Sequence, residues 1–254
     1  MKEPYYLVSF NSSICNYEIF VNDMPAYLHH DGGSMSSQYP INHLILEKGK
    51  QNIQIRILPL KGEAAFRKDA FIKIKVFYYD ASTTNYETNI EVFKFEEVDF
   101  SKIKLPIIEV VNGFLANVPY KIVGWQKAQE IKDKKNEIIT FYKEIFELFK
   151  QNNIEKIFQL SKRKYEEMDK ATYLENEDNK NGLKILFNQI TKSELVLQNF
   201  PTKSTLIIYN NKKVCSLTRE NGEPILHFVN KKTNNEFSLP VFVCFENDKL
   251  IIIR

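Results

Sequence analysis

Glycine is scarce in this chain: 8 residues in 254, well under the roughly 7% usual in globular proteins. Phosphate-binding loops need clustered glycines so that backbone N–H groups can close on the anion. The one adjacent pair, Gly32-Gly33, has no helical pattern directly after it, which argues against nucleotide binding through those motifs. Cysteine is equally sparse. Cys15, Cys215 and Cys244 each lie in an apolar, strand-like run without a CxxC, so a disulfide framework is excluded by number and spacing. The expectation is buried thiols, with a Cys215–Cys244 bridge left open if their strands adjoin. No apolar run approaches the roughly 18 residues of a membrane-spanning helix. Met1-Lys2-Glu3-Pro4-Tyr5 shows no basic stretch followed by an apolar one, so a cytoplasmic location is the default expectation. Nor is there an excess of one charge. Lys+Arg is 35 and Asp+Glu is 32, a net +3, too balanced for a polyanion groove, and no nucleic-acid partner is expected.

Alternating apolar residues are present in quantity. From residue 5 to about 96 the chain reads as strands: 5–10, 16–21, 41–46, 53–58, 72–78 and 90–95. Turn signals separate them, including Asn22-Asp23-Met24-Pro25, Asp31-Gly32-Gly33-Ser34, Lys48-Gly49-Lys50 and the stretch 80–85. Short alternating strands so punctuated predict an all-β sandwich over residues 1–98. Residues 99–125 hold Pro106, Gly113, Pro119 and Gly124 between apolar runs. A free linker would be polar, so this reads as an ordered apolar connector.

At about residue 126 the period changes from 2 to 3.6. Ile138, Tyr142, Ile145 and Phe149 fall at i, i+4, i+7 and i+11, an amphipathic helix over about 126–151. Ile154, Ile157, Phe158, Ser161, Tyr165 and Met168 mark a second helix, to about 173. After a polar loop over 175–181, residues 183–190 form a third. Strands return at 195–197, 206–209, 214–217, 225–229, 237–245 and 250–253. Residues 126–254 therefore read as an α+β domain, three helices against an antiparallel sheet. That element order resembles the NTF2-like cone. The resemblance implies a bent sheet wrapping a long helix, with a pocket that binds small molecules, binds proteins or catalyses proton transfer and hydrolysis. No residue here matches the Tyr/Asp or His/Asp pairs of its catalytic members, and fold does not select among those functions.

Chemistry-bearing clusters are few. His29 and Asp31 could share an ion, but adjacent His30 points to the opposite strand face, and zinc needs three or four ligands. No metal and no cofactor are expected. His227 shares a strand face with Ile225 and Val229, a pocket base if that face lines the cone. There is no GxSxG. Lys162-Arg163-Lys164 precedes Glu166 and Glu167, whose i,i+4 spacing predicts ion pairs on a solvated helix face. Tyr142, Tyr165, Tyr173, His227 and Trp125 are the candidate ligand-lining residues, because buried phenols need partners; no catalytic residue is assigned. The leading expectation is a non-enzymatic protein-binding module of bacterial type, in keeping with the Asn- and Lys-rich composition. Its specific form would be a toxin-neutralising immunity protein, with pairing of two copies as a further option. The alternative is a small-ligand-binding or hydrolytic NTF2-like enzyme using the C-terminal pocket.

Overall fold

A computed structural model of the chain describes residues 2–83, 89–96, 98–174 and 178–254. The chain divides into two compact units, Met1–Ile122 with Lys170–Tyr173, and Val123–Asp169 with Leu174–Arg254.

The first unit holds two four-stranded antiparallel sheets. Strands β1 (Pro4–Ser13), β2 (Asn16–Val21), β3 (Met24–His29), β4 (Met35–Pro40), β5 (Gly49–Leu58), β6 (Phe71–Asp80), β7 (Ile90–Lys94) and β8 (Ile108–Ala116) are ordered β4-β1-β6-β7 and β3-β2-β5-β8. Alternate residues of β5 (Ile53, Ile55, Ile57) and β6 (Ile72, Ile74, Val76) are buried, as a half-buried strand requires. Rings join the two sheets: Phe10 of β1 stacks on Tyr27 of β3 with centroids 4.2 Å apart, and Tyr6 of β1 meets Phe114 of β8 at 6.1 Å.

Three expectations for this unit are corrected. Residues 41–46 are not a strand. Asn42–Leu44 form a 3-10 turn, because the buried Asn42 side chain takes over backbone groups. Its Oδ1 accepts the Tyr6 N–H, and its Nδ2 donates to the carbonyls of Pro4 (3.1 Å) and Ala171 (2.8 Å). The turn before β3 is Asn22-Asp23 alone, both at positive φ (51° and 61°), a tight hairpin geometry; Met24 and Pro25 already belong to the strand. Residues 108–116, expected within a connector, are strand β8, paired with β5 from Gly49↔Ala116 to Ile57↔Ile108. The stretch 84–85 of the expected turn at 80–85 lies outside the described residues.

The second unit holds helices α1 (Lys135–Lys150), α2 (Ile154–Thr172, its last three residues grouped with the first unit) and α3 (Asn179–Lys192). Its strands are β9 (Val196–Leu197), β10 (Ser204–Tyr209), β11 (Val214–Arg219), β12 (Leu226–Asn230), β13 (Asn235–Leu239), β14 (Val243–Glu246) and β15 (Lys249–Ile252). Among the described residues the four sheets are antiparallel, and here the orders are β10-β11-β14-β15 and β13-β12-β9. The expected single strand over 237–245 is two, split at Pro240, which cannot donate to a ladder. Helix α1 buries Ile138, Tyr142, Ile145 and Phe149, the stripe read from the sequence. It starts at residue 135 rather than 126, because the N–H groups of Gln129 and Ile131 go to the carbonyls of Phe245 and Lys212. Helix α3 starts earlier than residue 183: the Asp178 carboxylate caps it, accepting from the Asn181 N–H at 2.9 Å. Of the polar loop over 175–181, residues 175–177 lie outside the described residues.

Glu167 of α2 anchors the second unit electrostatically. Its carboxylate accepts from Arg254 (2.9 Å), Arg163 (3.2 Å) and the Gly124 N–H (2.9 Å). Arg163 also pairs with Glu246 at 2.7 Å, and the Arg254 guanidinium lies 5.6 Å from the centroid of the Trp125 ring. The expected solvated face therefore holds for Lys162–Glu166, an exposed pair at 3.7 Å. It fails for Arg163–Glu167, where Glu167 is buried. One residue along a helix turns the side chain by about 100°, which separates the two pairs.

Candidate functional site

Among the described residues, a cavity of about 70 Å³ lies within the second unit. Helix α1 supplies Ile145, Leu148 and Phe149; α2 supplies Ile157, Leu160, Ser161, Lys164 and Tyr165; α3, β12, β13 and β15 close it with aliphatic side chains. Only Ser161, Lys164 and Tyr165 bring polar side chains to the lining. Ile157, Ser161, Lys164 and Met168 fall at i, i+4, i+7 and i+11, so the helical period turns Lys164 to the inner stripe while Lys162 faces out. Lys164 has no hydrogen bond or ion pair with any described residue, since Glu167 is taken by the two arginines. Burial, with the Arg254 charge adding to it, pushes its ammonium down to about 8. The cavity is a mostly apolar space with one uncompensated cation.

Of the five expected ligand-lining residues, Tyr165 reaches this cavity, with its ring stacked on Phe158 at 5.9 Å. Tyr142 is buried and donates to the Val241 carbonyl at 2.6 Å. Trp125 is buried under Arg254. Tyr173 is grouped with the first unit and donates to the Pro4 carbonyl at 2.9 Å. His227 faces Ser238 across the β12–β13 pair. The Ser238 hydroxyl donates to the Glu223 carboxylate at 2.9 Å. Its proton is thus spent, and at 2.8 Å it accepts from His227 Nδ1.

In the first unit the notable feature is β8, which among the described residues is an edge strand with a partner on one side. Its outward row is Glu109, Val111, Gly113 and Leu115: Val111 is 69% exposed and Leu115 73%, with Leu105 (66%) and Ile107 (45%) just before the strand. The row opposite on β5 is polar, since Lys50 faces Leu115, Asn52 faces Gly113, Gln54 faces Val111 and Arg56 faces Glu109. Gly113 has a packing reason: a Cβ there would come within 3.0 Å of Lys50 Cε and of the Gln51 carbonyl oxygen. The Lys50 stem therefore crosses the strand at Gly113, and no described residue pairs its ammonium. A shallow depression of about 360 Å³ lies here, bounded by Lys50, Val92, Gly113, Phe114 and Leu115.

Other sites expected to be chemically silent have identifiable partners. His29 Nε2 lies 3.2 Å from the Gly33 carbonyl, and His30 pairs with Glu18 at 3.1 Å. Among the described residues no three His, Cys, Asp or Glu side chains are placed to hold a metal ion, and no helix is long and apolar enough to cross a membrane. All three cysteines are buried and free. Strands β11 and β14 do adjoin, with Cys215 opposite Val243 and Cys244 opposite Val214, so the two thiols sit diagonally and unbridged. Burial pushes Cys15 up to about 11 and Cys215 and Cys244 up to about 12. Since the thiolate is the reactive form, a disulfide-exchange reagent at pH 8 is expected to label no cysteine in the native protein and three after unfolding. Fast native labelling would contradict their burial.

The architecture is that of a two-unit, mostly antiparallel β protein with three helices. No protein-family model matches the chain, and no curated protein or solved structure matches it.

Proposed function

We propose that this chain is a non-enzymatic protein-binding module, of which a toxin-neutralising immunity protein is one form, and that β8 is its docking edge. The observation that supports the reading is the exposure of two large apolar side chains, Val111 and Leu115, on a strand that has no second partner among the described residues. Natural sheets blunt exposed edges with charge, proline or bulges; Glu109 does so at one end of this row, while large apolar side chains left exposed beyond it mark an interaction surface. Here the outward row of β8 carries Val111 and Leu115 where the neighbouring strand carries polar side chains. The occupant is an extended segment of another protein, added as a further strand with its side chains alternating across the edge. The unpaired Lys50 ammonium calls for a carboxylate on that segment. An NTF2-like arrangement of the second unit belongs to the same reading. The hydrolytic alternative is less well supported, because the cavity lining contains neither a histidine nor a carboxylate.

The test is a displayed library of random peptides selected on the folded protein. Enriched peptides should carry apolar residues at alternate positions and an acidic residue. The Val111→Lys/Leu115→Lys variant should hold them at least about tenfold more weakly, the scale of a lost interface anchor. Absence of enrichment, or equal retention by the variant, would sink the reading. A concentration-dependent dimer in sedimentation, abolished by the same variant, would replace the foreign segment with a second copy.

A further inference from the structure

The second unit contains a feature that edge docking does not use: a lysine without a counter-ion on the wall of an apolar cavity. Lys164 is half-buried, and an unpaired cation held against hydrocarbon costs free energy. A methionine or leucine would fill the same stripe of α2 without it. Arg163 of the same helix pairs with two carboxylates and half-buried Arg219 donates to three backbone carbonyls, whereas no hydrogen bond or ion pair with a described residue holds Lys164. What is missing is an anion, and what surrounds the missing anion is hydrocarbon.

We propose that the second-unit cavity binds a small apolar monocarboxylate, with Lys164 pairing the carboxylate and the aliphatic and aromatic walls enclosing the tail. Ser161 sits one helical turn before Lys164, and Tyr165 is its neighbour on the lining. Their hydroxyls can donate to the second carboxylate oxygen, so the ligand would be held by a charge-assisted pair and neutral donors. The space is modest. A cavity of about 150 Å³ lined by aliphatic and aromatic side chains admits benzene, and this one is about 70 Å³, which selects short or branched acids over long-chain lipids. No covalent step is involved. The groups that face the cavity from α1, α3, β12, β13 and β15 are apolar, and the charge acting on Lys164 from beyond α2 is Arg254, a cation. Both the apolar walls and Arg254 disfavour the ammonium, and a bound carboxylate opposes them. Binding therefore draws a proton onto Lys164 when the pH is above about 8.

The experiment is calorimetric titration with acetate, propionate and butyrate, and with 1-butanol as the neutral control. At pH 7 at least one acid should bind, and butanol more weakly than that acid. Lys164→Met should weaken the acid by about 10–100-fold, the range for a hydrogen bond to a charged group, and leave butanol unchanged. Circular dichroism establishes that this variant folds. Should it not fold, the wild-type pH series decides: affinity for the acid should fall about tenfold per unit as pH rises above about 8, while butanol affinity stays flat. Absence of acid binding overturns the proposal. So does an acid that binds no better than butanol, or an acid affinity indifferent to pH and to Lys164→Met. Because the edge variant at Val111 and Leu115 lies in the other unit, failure here leaves the docking reading untouched, and the converse holds.

Discussion

Glu167→Ala is expected to destabilise the second unit by about 3–5 kcal/mol, the cost of removing one partner from a buried ion pair. The carboxylate serves two arginines and one backbone N–H, with side-chain exposures of 9% for Glu167 and 5% for Arg254. Without it, Arg254 loses its carboxylate partner and the Gly124 N–H loses its acceptor. Arg163 keeps Glu246, which holds the cost within that range. Trp125, the one tryptophan of the chain, lies against Arg254 and reports this region in a urea titration. Glu166→Ala, one residue away on the exposed face, should stay within about 0.5 kcal/mol. Equal effects of the two substitutions would mean that the network does not form. Acid adds a second readout. Burial pushes the Glu167 carboxyl up, but Arg254, the Gly124 N–H and Arg163 together hold it below the ordinary 4.5. A carboxyl lowered on folding contributes stability above its unfolded pKa and loses it as pH falls through the folded one. The gap between wild type and Glu167→Gln should therefore narrow below about pH 4.5 and close in stronger acid.

Ile145→Ala should cost about 2–5 kcal/mol, from lost burial together with the space left behind. Ile145 is 2% exposed, and it belongs to the cluster that joins α1 to Leu217, Leu226 and Val243 of the sheets. It also walls the cavity, so the alanine variant should enlarge a space already present. Thermal and urea unfolding measure the loss. A value below about 0.5 kcal/mol would show that α1 presents a different face to the sheets.

The sequence was most legible where one periodicity ran unbroken. The i, i+4, i+7 stripe of α1 and the alternation in β5 and β6 marked core faces because burial acts on side chains at those spacings. It was least legible where polar residues build strands or apolar residues leave them. Strand β4 reads Met35-Ser36-Ser37-Gln38-Tyr39-Pro40 and shows no hydrophobic pattern, since four of its six residues are exposed. Residues 41–46 look like a strand, but the hydrogen bonds of Asn42 turn the chain there. At the candidate sites the signals are present but point equally to other roles. Adjacency groups Lys164 with Lys162 and Arg163, whereas its spacing from Ile157 and Ser161 places it on the inner stripe. The apolar runs at 107–111 and 114–115 marked order in the expected connector. That the order is a sheet edge depends on a pairing with residues 49–57, which no local pattern reveals.

The first unit is discontinuous along the chain, and this shapes how it can be made. Its last members, Lys170–Tyr173, emerge from the ribosome only after residues 123–169, most of two helices later. Until then Asn42 lacks the Ala171 carbonyl and Pro4 lacks the Tyr173 hydroxyl. Synthesis cannot proceed by finishing one unit before starting the next, the usual order for domains that follow each other along a polypeptide. A fragment ending at Ile122 would be an unfinished half, with a buried asparagine short of one acceptor. Dissecting the two activities proposed above therefore calls for point substitutions in the full chain, since cutting between the units removes part of one of them.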